Sequence, residues 1–296
     1  MKNSQFKQAS LNKIIEDHQS GSAKIAFIAL QALADYSVQS TLTDPAFYLR
    51  DLSDFALRLQ QTRPSMAILA NTIDTWRQAI GRSHKANLIT LKRIALDKAH
   101  DLMAQSRLAN EQIVHHVCDL IADDSVILTH SISSTIISCF TELAKKSISA
   151  IITESRPGNE GCLVAERLSH LGIETQFITD AQLGLFVPKA DVVLVGVDSI
   201  LADGSVVNKA GTYLTALVAY DTGTPFYVCA ESTKQSRKHN VSIHLEEMGA
   251  AELNLADLPH ITPRNIYFDV TPARLISGWI NEYGMQTLIN EPPKHV

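Results

Sequence analysis

From Ser125 onward the chain alternates short β-branched runs with stretches of helical spacing. The runs are SVILTH (125–130), SAIITE (149–154), ETQFIT (174–179), DVVLVGV (191–197) and PFYVCA (225–230), and helical patterns occupy 133–146, 160–171, 181–186 and 209–220. This alternation narrows the choice of fold more than any other feature. Strands joined through helices run parallel, their crossovers are right-handed, and the helices cover both faces of the sheet. The runs are apolar almost throughout, as strands buried on both faces must be. The expected fold class is therefore α/β, with a Rossmann-like parallel-sheet domain over residues 123–296.

Residues 1–122 read differently. From Leu11 to about Val117 the period is helical, with no convincing strand. SAKIAFIALQALADY places Ile25, Ile28 or Ala29, Ala32 and Leu33 on one face, the spacing of an amphipathic helix. Asp44-Pro45 opens a helix through Leu59, and Arg63-Pro64 opens a third, since proline fits the first helical position. The charged segment that follows has room for two more helices. At the other end, NIYFDVTPARLISGWINEYG predicts a short strand and then a helix, with Thr271 as N-cap, Pro272 at its first position and Gly284 as C-cap. The expected division is an N-terminal helical domain over 1–122 followed by the sheet domain, without a flexible linker.

Composition removes several function classes. The chain has 296 residues, 45% of them hydrophobic and 19% charged, with a formal net charge of −5. Clustered Lys and Arg, the footprint of a nucleic-acid surface, are missing. The four cysteines, Cys118, Cys139, Cys162 and Cys229, show no CxxC spacing. His115 and Cys118 share a helix face, but two ligands do not close a zinc site, and no metal is expected. MKNSQFKQAS has no apolar signal core, and no apolar run approaches the ~18 residues of a membrane span. The expectation is a cytoplasmic protein that binds neither membrane nor nucleic acid.

In an open parallel sheet, ligands bind beyond the carboxyl ends of the strands. That edge collects Thr129, His130 and Ser131; Glu154 and Arg156; Asp180; Asp198; and Glu231, Ser232 and Lys234. ADGSVVNKAGT adds a turn at Asp203-Gly204 and then Asn208 and Lys209, read as the mouth of the next helix, where free amides, the helix dipole and an ammonium favour an anion. Gly211 leaves room for a ligand or a neighbouring backbone. Singly, each residue has a plain structural reading. Asp198 can cap a turn, Lys209 can sit in solvent, His130 can be a satisfied imidazole, and Ser131, Ser133, Ser134 and Thr135 can be helix caps. Jointly, they point to an anionic small molecule. A nicotinamide enzyme is disfavoured, because no GxGxxG follows the first strand.

ITESRPGNEG, VGVDSILADGSVVNKAGTY, PFYVCAEST and FDVTPARLI resemble, in order and spacing, a family with two branches. One holds sugar-phosphate isomerases acting on methylthioribose 1-phosphate and ribose 1,5-bisphosphate. The other holds the alpha, beta and delta regulatory subunits of eukaryotic translation initiation factor 2B. The resemblance implies the two-domain fold already read, a homodimer through the C-terminal domain, a phosphorylated small-molecule ligand and no cofactor. By the same resemblance Asp198 is the catalytic aspartate, Asn208 and Lys209 contact substrate, and Lys234 and Arg63 bind phosphate. Gly21 and Ser22, in SGSA, stand where the isomerases carry an RGA loop, and Ser133 and Ser134 are further candidates for substrate or phosphate binding.

One departure divides the possibilities. In LTHSISST the isomerases have a cysteine directly after the histidine; here the residue is Ser131. A thiol near its ordinary pKa of about 8.5 exchanges protons at neutral pH, whereas a serine hydroxyl needs a base beside it. Two readings follow: an aldose–ketose isomerase of a pentose 1-phosphate, with Asp198 and Ser131 in the catalytic roles, or a non-catalytic protein that senses a phosphosugar or nucleotide. The atoms in reach of Ser131 Oγ discriminate between them.

Overall fold

The computed structural model describes residues 2–17, 20–236, 245, 247–256 and 258–287. They fall into two compact units, Met1–Ala109 and Asn110–Val296.

The first unit is helical: α1 (Lys2–Ile15), α2 (Ser22–Gln39), α3 (Pro45–Gln60), α4 (Ala67–Arg82) and the greater part of α5 (Leu88–Leu120). The apolar face read on α2 is the buried one, with Ile25, Ala29, Ala32 and Leu33 inside. Asp44 caps α3 by accepting from the Phe47 amide at 2.9 Å, with Pro45 at the first helical position. Two expectations change. The helix expected at Arg63-Pro64 starts only at Ala67, because residues 64 and 65 form a turn closed by the Met66 amide on the Arg63 carbonyl at 3.1 Å. The segment with room for two helices is one, α5. It contains neither Gly nor Pro, and Leu91, Ala95 and Ala99 recur at intervals of four on its buried side, so nothing interrupts it.

In the second unit, after the end of α5, come β1 (Val126–Thr129), α6 (Ser134–Leu143), β2 (Ser149–Thr153), α7 (Gly161–His170), β3 (Glu174–Ile178), α8 (Leu183–Phe186) and β4 (Val192–Val195). Then follow β5 (Ser199–Ile200), β6 (Val206–Lys209), α9 (Thr212–Thr222), β7 (Phe226–Cys229), β8 (Phe268–Thr271), β9 (Gly278–Asn281) and β10 (Gly284–Gln286). The main sheet has the order β10-β9-β7-β4-β1-β2-β3, parallel except for the β9–β10 pair. Strand alternation divides the core between its faces. Ile127, Ala150, Ile152, Val192 and Leu194 pack with Phe140, Leu143, Val164 and Leu168 on one side. Leu128, Ile151, Val193, Val195 and Val228 pack with Leu183, Ala216 and Ala219 on the other. Strand order reverses between β1 and β4, the topological switch point at which open α/β sheets form a ligand crevice beyond the carboxyl ends of the strands.

Two expectations are corrected here. Asn208 and Lys209 are not at the mouth of a helix but end β6, which pairs antiparallel with β5 and β8 in a second, three-stranded sheet. α9 starts three residues later. The helix expected after Thr271 is instead a 3-10 turn at Ala273–Leu275 followed by β9 and β10. Thr271 closes β8 and Gly284 opens β10 at a φ of +115°. Trp279 pairs with Val228 of β7, and that distant partner overrides local helical spacing.

Candidate functional site

The crevice is built first from the exit of β1. His130 is fully enclosed. Its Nε2 lies 2.9 Å from the Ala210 carbonyl and its Nδ1 2.6 Å from Thr153 Oγ1. A carbonyl only accepts, so Nε2 carries the proton and Nδ1 accepts from the threonine. Burial lowers the imidazole pKa, which keeps the ring neutral beside Asp180, 3.8 Å away. Gly211, at a φ of +106°, admits this ring: a Cβ there would lie 2.7 Å from His130 Cε1. The close approach foreseen at Gly211 is thus made by a side chain of the protein.

Ser131 follows in the left-handed region, at a φ of +67°, a conformation that costs a non-glycine residue about 1 kcal/mol or more and gathers at functional sites. Its amide donates to Ser155 Oγ at 2.8 Å, and its hydroxyl donates to Glu160 Oε2 at 2.6 Å. The other carboxylate oxygen, Oε1, accepts from Lys209 Nζ at 2.7 Å. Both partners are buried, and the ammonium also stands 3.5 Å from the centroid of the Tyr267 ring, within cation–π range. Gly158 closes over this group, since a Cβ there would meet Tyr267 Oη at 2.7 Å and Lys209 Nζ at 3.2 Å.

The loop carrying Glu160 is pinned from behind. Asp180, after β3, accepts the Ser155 amide at 3.0 Å and the Arg156 amide at 2.7 Å, and Arg156 Nη2 donates to the Glu252 carbonyl at 2.9 Å. Asn208 Nδ2 donates to Thr212 Oγ1 at 2.9 Å, and that hydroxyl donates to the Lys209 carbonyl at 2.7 Å. Asn208 therefore braces the corner between β6 and α9.

The exit of β4 supplies the second part. Gly196 runs so close to Ser133 that a Cβ would lie 2.1 Å from its Oγ. Ser133 caps α6 through the Ile136 amide at 3.4 Å, and Ser134 is the exposed first residue of that helix. Asp198 is half-buried, with its amide on the Val207 carbonyl at 2.9 Å. Asp198 immediately precedes β5, whose Ser199 pairs with Val207, the residue before Asn208. Lys234 Nζ is buried and donates to the Val197 carbonyl at 2.7 Å. Burial lowers its pKa, while the nearby Asp198 and Glu231 charges oppose that shift. Asp269 caps α9, its Oδ2 accepting from Gly211 N at 2.8 Å and Tyr213 N at 3.1 Å. Its Oδ1 is buried without a partner, and burial pushes this carboxyl up to about 6.

The remaining expected residues belong to the first unit. Arg63 Nη2 donates to the Ile14, Ile15 and Asp17 carbonyls at 3.3, 3.2 and 2.6 Å, so the guanidinium closes the carboxyl end of α1. Gly21 is the N-cap of α2, and Ser22, the first residue of that helix, is buried with no partner for its hydroxyl. Cys139 and Cys229 offer no substitute for the Ser131 hydroxyl: both are buried and their thiols are pushed far up, the latter to about 12. Among the described residues His115, His116 and Asp119 place ligand atoms within 4.8 Å of one another on α5, where His115 and Asp119 pair at 3.0 Å in solvent.

Glu160, Thr153, Ser155, Gly158 and Tyr267 were not singled out from the sequence as site residues. A signal existed for one of them. In GNEG, glycines at Gly158 and Gly161 flank Glu160, and a Cβ at Gly161 would fall 1.9 Å from the Thr153 carbonyl. Two such constraints around one carboxylate mark a loop pressed onto something.

Fold and site together define an α/β protein with a polar, charge-bearing crevice at the switch point of a mostly parallel sheet. Residues 18–288 match the Initiation factor 2 subunit family, and the chain belongs to it. It is 35% identical over 263 residues to a translation initiation factor eIF-2B subunit 2-like protein of Pyrococcus abyssi, covering 87% of this chain and 86% of that one. It is 31% identical over 272 residues to ribose 1,5-bisphosphate isomerase of Haloferax volcanii, covering 89% and 83%. The crystal structure of the Pyrococcus horikoshii OT3 translation initiation factor eIF-2B superposes with a TM-score of 0.84 at 30% identity, covering 96% of this chain and 97% of that chain. Both branches of the resemblance are thus among its relatives.

Proposed function

We propose that the chain is an aldose–ketose isomerase of a pentose 1-phosphate, of the ribose 1,5-bisphosphate or methylthioribose 1-phosphate type, working without a cofactor. The observation that carries the reading is a half-buried acid, Asp198, in the field of a buried ammonium, Lys234, beyond the switch-point strand β4. A phosphorylated sugar needs both groups. The ammonium meets phosphate, and the phosphate charge favours the protonated carboxyl, which can then donate to the ring oxygen as the C1–O4 bond breaks. Asn208 and Lys209 extend the crevice along β6, and Ser133 and Ser134 offer hydroxyls at the amino end of α6. Phosphate contacts by Gly21, Ser22 and Arg63 belong to the same reading; for them, Ser22→Ala is expected to weaken phosphosugar affinity severalfold.

The test is conversion of either sugar followed by phosphorus NMR. The parent is expected to form the ketose phosphate and Asp198→Asn to lose turnover by ~10²-fold or more. Binding of both sugars with no product from the parent favours the sensing role instead. The reading also includes a cytoplasmic homodimer formed through the second unit. In its support, β10 is an edge strand with Met285 half exposed and Tyr283 beside it exposed, and unpaired edges invite pairing. Light scattering at micromolar concentration is expected to give twice the chain mass. No helix among the described residues is long and apolar enough to cross a membrane.

A further inference from the structure

Resting on the isomerase reading, we infer that Glu160 accepts the hydroxyl proton of Ser131 as Ser131 Oγ takes a proton from the sugar, with Lys209 holding the Glu160 carboxylate in line. The hydroxyl that occupies the β1 exit is not an isolated alcohol. It donates to Glu160 Oε2 at 2.6 Å while Lys209 donates to Oε1 at 2.7 Å. Both carboxylate oxygens therefore accept, the pattern of the ionised form. The three side chains form one directed chain, hydroxyl to carboxylate to ammonium, in which a base orients a nucleophilic or proton-carrying oxygen and a third group orients the base. Ser131 is kept in the left-handed region at this point, and Gly158 seals the carboxylate and ammonium from the loop side.

An aldose 1-phosphate becomes a ketose through four proton movements, and the two acids of the crevice divide them. In the first step Asp198 gives a proton to O4 as C1–O4 breaks. The C2–H pair forms the C1–C2 double bond, Ser131 Oγ takes the C2 proton, and its own proton passes to Glu160 Oε2. In the second step the relay reverses. Ser131 protonates C1 and is reprotonated by Glu160, while the O2 proton returns to Asp198 as the C2 carbonyl forms. Asp198, Ser131 and Glu160 end as they began, and no oxidant or reductant is needed. A hydroxyl alone is too weak a base for the first step, and the buried carboxylate behind it supplies the missing acceptor.

The experiment compares the parent with Ser131→Ala, Glu160→Gln, Glu160→Asp and the double variant Ser131→Ala/Glu160→Gln, each checked by thermal melt. Ser131→Ala leaves the Glu160–Lys209 pair intact and so reports on the relay even where Glu160→Gln fails to fold. Each single variant is expected to lose 10²–10⁴-fold in kcat with KM within about threefold. The double variant should be no worse than the weaker single, since the residues act as a unit. Glu160→Asp, which keeps a carboxylate behind the hydroxyl, should recover at least tenfold in kcat over Glu160→Gln, a rescue that loss of packing alone does not produce. An active parent whose Ser131→Ala or Glu160→Gln variant stays within threefold, or whose two losses multiply, overturns the relay and leaves the isomerase reading standing. A parent that converts neither sugar overturns both.

Discussion

At the position where the isomerases of the resembled family carry a cysteine, Ser131 has a hydroxyl, and its meaning depends on one neighbour. With Glu160 2.6 Å away, serine and carboxylate divide between two residues what one thiol does alone. Ser131→Cys in the Glu160→Gln background is therefore expected to recover turnover at least tenfold over Glu160→Gln, because a thiol near pKa 8.5 needs no second base; steady-state kinetics of the product give the answer. Gly211 has a structural role beneath the site. Gly211→Ala adds positive-φ strain and a Cβ 2.7 Å from His130 Cε1, so a loss of about 2 kcal/mol or more is expected in urea unfolding. The two perturbed acids of this corner act with opposite sign on stability. His130 has a lowered pKa, so its contribution is present above about 6.5 and is lost as pH falls through the folded value. Asp269 is raised to about 6, so its contribution is present below its ordinary value and is lost as pH rises through 6. Thermal melts of Asp269→Asn between pH 4 and 8 should lack the second slope and keep the first.

At the scale of elements, the second sheet places the polar residues. β6 pairs with β5 on one side and β8 on the other, and this pairing turns Asn208 and Lys209 from a helix mouth into a strand end whose lysine reaches Glu160. The hairpin turn at Asp203-Gly204 was legible from residue type. The pairing with β8, some sixty residues later, was not, because no local pattern records a partner that distant. β9 makes the same point: its spacing suits a helix, but backbone pairing with β7 prevails. Where capping is local, residue type suffices. Asp44→Ala removes the side-chain N-cap of α3 and is expected to cost about 1 kcal/mol, read as a lower denaturation midpoint at unchanged m-value.

At the scale of the whole molecule, a binding protein and an enzyme of this family share one fold, so the decision rests on whether ligand binding is followed by chemistry. The proposed isomerase and its phosphosugar-sensing alternative alike predict that ribose 1,5-bisphosphate or methylthioribose 1-phosphate raises the melting temperature, by an amount growing with the logarithm of its concentration above Kd. Differential scanning fluorimetry measures this, and an unchanged melting temperature with both sugars at millimolar concentration counts against the isomerase and the phosphosugar sensor.

The parallel sheet, its five long-range runs, the helical first unit and the residues gathered at the strand exits could all be read along the chain. Periodicity and burial of apolar residues are local properties, and strands feeding helices leave few topologies open. The Ser131–Glu160–Lys209 chain could not be read that way. Its members lie 29 and 49 residues apart, just after β1, in the loop after β2 and at the end of β6, and only folding sets the three exits side by side. A hydroxyl acquires a base through distance, and distance between remote residues belongs to the folded backbone.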